Sequence, residues 1–215
     1  TQRIAEEAFD ALLGQIKPGM QEKELAALLE YEMAKRGSER PSFDTILISG
    51  AKTSMPHGMP DTKPVAAGEF ILVDFGAVVN GYHSDMTRTF ALGSATERMR
   101  TVYSTVLAAQ ETGIRMLRAG VSCDQPHLAA HQVIRDAGFG DCFGHALGHC
   151  VGLEIHESPA LSPRAKQHLE PGMVITVEPG IYLPGEFGVR IEDLLLIQPD
   201  GAEDLTHTPK KLLIL

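Results

Sequence analysis

Apolar residues recur at helical spacing at Ile4, Ala5, Ala8, Phe9, Leu12, Leu13 and Ile16 until Lys17-Pro18-Gly19 ends the pattern, which predicts a first amphipathic helix. Leu25, Leu28, Leu29 and Met33 place a second apolar stripe on residues 21–36, and Gly37 supplies the left-handed residue that commonly closes a helix. Residues 43–49 and 69–75 are rich in branched and aromatic side chains and predict strands. Asn80-Gly81 is the dipeptide favoured in two-residue hairpin turns. The order then repeats. Ser94-x-x-Glu97 reads as a capping box opening a helix that runs to Ala119, and Ser122-x-x-Gln125 opens another that Gly138 closes. Gly19 and Gly37 lie as far apart as Gly120 and Gly138, so either the chain carries an internal duplication or two helical hairpins share a length by chance. Segments 50–68 and 157–172 are polar and rich in Gly and Pro, and read as connections.

At 215 residues the chain suits one sizeable core. A charge of −9 without a run of Lys or Arg argues against a nucleic-acid partner, and no apolar run is long enough to suggest a membrane span. Cys123, Cys142 and Cys150 are odd in number and lack CxxC spacing. Neither a disulfide framework nor a zinc ribbon is implied, and a reducing, cytoplasmic location is expected.

Three clusters carry the chemistry. Counting outward from a turn at Asn80-Gly81 pairs Val79 with Tyr82 and Asp74 with Thr87, two positions from Asp85. Asp74 and Asp85 then share a face of the hairpin, diagonally about 7–8 Å apart, close enough to share a metal. An acid following Ile71-Leu72-Val73 would be buried, and a buried carboxylate costs several kcal/mol unless paired or bound to a cation. His145, His149 and His156 fall within twelve residues of Gly-rich chain, where imidazole serves as metal ligand or as acid and base. Glu178 ends an apolar strand, and Arg190 and Glu192 interrupt another. A lone pair of this kind would read as a structural ion pair. Four carboxylates and one imidazole together suit two divalent ions with mostly oxygen ligands, with Mn²⁺ or Co²⁺ favoured over Zn²⁺ or Fe²⁺.

The segments Val73-Asp-Phe-Gly76, Gly81-Tyr-His-Ser-Asp-Met-Thr-Arg-Thr-Phe90, Gly144-His-Ala-Leu-Gly-His149 through His156-Glu157, Val177-Glu-Pro-Gly-Ile-Tyr182 and Val189-Arg-Ile-Glu-Asp193 resemble the pita-bread metallopeptidases. The resemblance spans nearly the whole chain, and is closer to the Xaa-Pro dipeptidase (prolidase) and Xaa-Pro aminopeptidase branch than to the methionine aminopeptidases. It implies a duplicated α+β fold, with helix-helix-strand halves around a curved antiparallel sheet. Residues 1–215 would be a catalytic domain, expected to be the C-terminal one of a longer protein. It further implies a metal set of Asp74, Asp85, His149, Glu178 and Glu192, and substrate contacts from His57, His145, His156 and Arg190. His145, His156 and Glu178 would take catalytic parts. The activity implied is exopeptidase cleavage of the Xaa-Pro bond of dipeptides or peptide N-termini by a hydroxide bridging two divalent ions. A methionine aminopeptidase-like enzyme and a non-catalytic peptide-binding member of the fold are the alternatives, and a homodimer is an expected assembly. Cys150 stands where the family more usually has Gly, so it either narrows the pocket, exposes an oxidisable thiol or fills space.

Overall fold

The computed structural model describes residues 1–215. Helices α1 (Gln2–Leu13) and α2 (Glu22–Lys35) precede β1 (Ile46–Ser49), β2 (Phe70–Phe75), β3 (Val78–Val79), β4 (Tyr82–His83) and β5 (Met86–Ala91). Helices α3 (Glu97–Met116) and α4 (Asp124–Asp136) precede β6 (Gly148–Cys150), β7 (Glu157–Leu161), β8 (Val174–Val177), β9 (Gly180–Leu183), β10 (Phe187–Arg190), β11 (Asp193–Gln198) and β12 (Gly201–Asp204). The strands form antiparallel sheets in the orders β1-β2-β5, β12-β11-β8-β6-β7 and β10-β9, and β3 pairs with β4 as a two-stranded hairpin end. Side chain and backbone join the sheets into one curved surface. Thr89 Oγ1 donates to the Arg190 carbonyl (2.9 Å) and accepts from its amide (3.2 Å), while the Glu192 amide donates to the Thr87 carbonyl (3.1 Å).

Each half has its own core. Apolar faces of α1 and α2, including Phe9, Leu12, Leu25 and Leu29, pack on Val73, Phe75 and Phe90 of the first sheet, with Phe9 stacked on Phe75 at 5.6 Å. Val106 and Ala109 of α3 and Ile134 of α4 pack on Ile175, Val177 and Leu195 of the second. Each such Val, Leu, Ile or Phe side chain, fully buried, contributes about 1.5–3 kcal/mol, so the apolar helical stripe accounts for both layers.

The halves also match in their hydrogen bonds, which supports duplication over chance. The Gly19 amide donates to the Val65 carbonyl and the Gly120 amide to the Leu169 carbonyl, both at 2.8 Å, and both glycines have positive φ. Helix α2 ends with Gly37 N–H on Ala34 and Ser38 N–H on Met33. Helix α4 ends with Gly138 N–H on Arg135 and Phe139 N–H on Ile134. Both are the paired closure in which a left-handed glycine satisfies the last carbonyls; Gly37 and Gly138 have φ of 99° and 85°.

Several expected boundaries differ. Thr96, not Ser94, caps α3, its hydroxyl accepting from the Met99 amide at 3.2 Å. Ser122 donates instead to the Asp124 side chain, and α4 begins beyond it at Asp124. In α1 the helix stops at Leu13, before Ile16. Residues 157–161, expected as connection, form β7, because Leu161 is buried against β6 and its pairing partner Gly148 completes the ladder. No helix is long and apolar enough to cross a membrane.

Candidate metal centre

The hairpin count holds residue for residue. Asn80 (φ 52°) and Gly81 (φ 77°) take the double left-handed turn that only such a pair adopts without strain, so Val79 pairs with Tyr82 and Asp74 with Thr87. Asp74 lies on β2 and Asp85 just before β5. From the other half come His149 on β6, Glu178 beyond β8, Arg190 at the end of β10 and Glu192 before β11. These residues line one cavity of about 260 Å³, together with His57, His145 and His156.

His149 faces carboxylates on both sides: its Nε2 lies 3.5 Å from Asp85 Oδ2 and 3.5 Å from Glu178 Oε1. Its Nδ1 donates to the Cys150 carbonyl at 3.0 Å, which leaves the Nε2 lone pair for the cavity. Donor atoms of Asp85, His149 and Glu192 all lie within 4.8 Å of one another. Asp74 accepts from Arg190 through Oδ2 (2.5 Å), but its other oxygen, Oδ1, is buried without any partner. An orphaned carboxylate oxygen and four converging acids are costly in an empty cleft and are satisfied by cations. The donor set therefore fits divalent ions with oxygen-rich spheres, and the alternative of simple ion pairing holds only for Asp74 with Arg190.

Burial also shows in protonation. It pushes Glu178 up to about 8 and Asp85 up to about 6, against the opposing pull of His149; Glu192 rises well above the carboxylate range through burial and then repulsion from Asp85. For His149 burial acts downward, but the hydrogen bond to Asp85 and the charges of Glu178 and Asp85 win and lift it to about 9. The metal-free site thus stores protons that cations displace.

Two threonines that the sequence reading passed over hold the acids. Thr87 donates to Glu192 Oε2 at 2.6 Å and accepts from Arg190 Nε at 3.1 Å. Thr176 donates to Glu178 Oε1 at 3.2 Å and accepts from the His149 amide at 3.1 Å, tying two candidate ligands together. The signal was present: Thr176 lies on β8 two residues before Glu178, and Thr87 pairs with Asp74. Tyr182 was also missed as a site residue. Arg190 donates to its hydroxyl at 2.9 Å and the hydroxyl donates to His145 Nε2 at 2.9 Å. His145 Nδ1–H reaches the Ala146 carbonyl at 2.7 Å, and burial holds this imidazole down to about 4, hence neutral. His156 packs edge-on to His149 with ring centroids 4.5 Å apart, and His57 stands exposed at the rim. Cys150 is buried in the second core and burial pushes its thiol up to about 12, which matches space filling and leaves no reactive thiolate.

A clustered set of acids around one imidazole, held between the two halves of a duplicated α+β fold, defines a candidate dinuclear metal centre. Residues 1–199 match the model of metallopeptidase family M24, and the chain belongs to that family. The chain is 44% identical to the Xaa-Pro dipeptidase of Pyrococcus furiosus over 98% of its own length. Among solved structures it is similar to the Xaa-Pro dipeptidase from Bacillus anthracis (43% identity, all of this chain and 60% of that one, TM-score 0.98). It is equally similar to the X-Pro aminopeptidase from Thermotoga maritima (44% identity, all of this chain and 61% of that one, TM-score 0.98). The fold is therefore that of the pita-bread metallopeptidases, as expected. The chain spans about 60% of the length of the curated relatives it matches.

Proposed function

We propose that this chain is a metal-dependent exopeptidase that hydrolyses the bond between an N-terminal residue and a following proline. The observation that carries the reading is the convergence of Asp85, His149 and Glu192 donors within 4.8 Å in a cleft that also presents His57, His145 and His156. Its similarity to proteins named as Xaa-Pro dipeptidases and aminopeptidases supports the same substrate class.

Asp74, Asp85, His149, Glu178 and Glu192 would hold two divalent ions, Mn²⁺ or Co²⁺ best matching one nitrogen among carboxylates. Such ions supply a water ionised near neutral pH and a Lewis acid for the peptide carbonyl. The chain's residues do the rest. Glu178, with Oε1 steadied by Thr176, carries a proton to the departing proline nitrogen. His156, without a partner in the protein, donates to the carbonyl oxygen as negative charge develops there, a contribution of about 3–4 kcal/mol in comparable sites. Arg190 fixes Asp74 and, through Tyr182, the ring of His145. Phe43, Ile46, Pro56 and Ile155 give the cavity its apolar walls, suited to a proline ring.

Hydrolysis of Ala-Pro, Ala-Pro-Ala and Met-Ala-Ser by the purified chain, with Mn²⁺ and with chelator, tests this. Chelator-sensitive release of alanine from a proline substrate is expected; methionine release alone would move the enzyme to the other branch. Replacing Glu178 by Gln should lower kcat at least a hundredfold. Full activity in that variant would remove the proton-carrying role.

A further inference from the structure

The cavity is poor in one kind of group. Arg190 is the only Lys or Arg among its lining residues, and it is 3% exposed. Its guanidinium is directed elsewhere: Nε to Thr87 (3.1 Å), one terminal nitrogen to Tyr182 (2.9 Å) and the Pro56 carbonyl (3.4 Å), the other to Asp74 (2.5 Å). His145 has no donor to spare, because Nδ1–H is held by the Ala146 carbonyl and Nε2 accepts from Tyr182. The loop bearing His57 offers no free cation either; Lys52, just before it, has its ammonium 2.7 Å from both Glu22 and Asp61. The loop bearing His156 adds only exposed acids, Glu154 and Glu157.

A dipeptide with proline second carries its free carboxylate one residue beyond the cleaved bond, at most about 3.6 Å further along the chain. With the cleaved bond at the donors of Asp85, His149 and Glu192, that charge would lie among the same lining residues. A carboxylate withdrawn from water wants a guanidinium or ammonium, whereas the N–H group of His57, which has no partner in the protein, matches an amide carbonyl equally well. A longer peptide presents such a carbonyl at the same place and no charge.

We propose that this site takes the Xaa-Pro end of longer peptides in preference to free Xaa-Pro dipeptides. The inference rests on the exopeptidase reading above and narrows its substrate.

The test is kcat/KM of the Mn²⁺-loaded chain for Ala-Pro, for Ala-Pro amide, which differs only in the terminal charge, and for Ala-Pro-Ala. The amide and the tripeptide should exceed the free dipeptide by tenfold or more. Equal or faster cleavage of Ala-Pro overturns the inference and leaves the exopeptidase reading standing, while cleavage of none of the three, with metal bound, overturns that reading and this inference together. The variant Ile155→Arg, which adds a guanidinium to a half-buried lining position, supplies a second readout. It should raise the ratio of Ala-Pro to Ala-Pro amide several-fold; an unchanged ratio in the folded variant would also count against the inference.

Discussion

Gly148 tests whether the site depends on how closely its strands approach. A β-carbon added there would lie 1.9 Å from the Thr176 carbonyl oxygen and 3.0 Å from the Thr176 hydroxyl. Even a close carbon-to-oxygen contact needs about 3.3 Å. In Gly148→Ala, β6 must therefore withdraw from β8 by about 1.4 Å, the difference between those distances. The next residue is His149, whose Nε2 sits 3.5 Å from acids on both sides and whose amide bonds to Thr176. A displacement of about 1 Å in such a constellation costs on the order of a hundredfold in rate, while the overpacking destabilises the fold by only about 1–3 kcal/mol. Gly144→Ala is the control, since a β-carbon there meets nothing within 4 Å. Metal content, kcat/KM on a proline peptide and a thermal melt should show Gly148→Ala folded but depleted of metal and activity, with Gly144→Ala near the parent. A folded Gly148→Ala protein with full metal and full activity would refute the argument.

Three further outcomes follow from the hydrogen bonds and protonation of the site. Thr176→Val keeps shape but removes the hydroxyl shared by His149 and Glu178, so metal affinity should fall about 10- to 100-fold in a Mn²⁺ titration; unchanged affinity would deny the hydroxyl its role. Because burial holds Glu178 up to about 8 and Asp85 up to about 6, the metal-free protein binds protons that an unfolded chain has released. Its stability should decline as pH rises from the usual carboxylate range towards 8. Metal affinity should increase over the same window, with proton release measurable by calorimetry in two buffers of different ionisation enthalpy. A pH-independent affinity would contradict this.

The hairpin was legible because a two-residue turn fixes register by counting, and each strand alternates its faces; Asp74 and Asp85 follow from Asn80-Gly81 alone. The helical halves were legible because Gly19, Gly37, Gly120 and Gly138 mark them and each takes positive φ. What stayed hidden depends on partners distant in sequence. Strand β7 reads as loop, with Ser158 and Pro159 in a polar stretch, until β6 lies beside it. The Tyr182 bridge between His145 and Arg190 requires the β9–β10 hairpin to fold back across the site. Capping was misplaced by two residues at α3 because Ser94 and Thr96 carry the same chemistry, and local propensity does not choose between them.

If five side chains from both halves of the fold hold two divalent ions, the Mn²⁺ stoichiometry of the purified chain, measured by equilibrium dialysis with elemental analysis beside that of Asp85→Asn, will show it. Two ions per chain are expected in the parent and one or none in the variant. No bound ion in the parent, or two undiminished in Asp85→Asn, would contradict it.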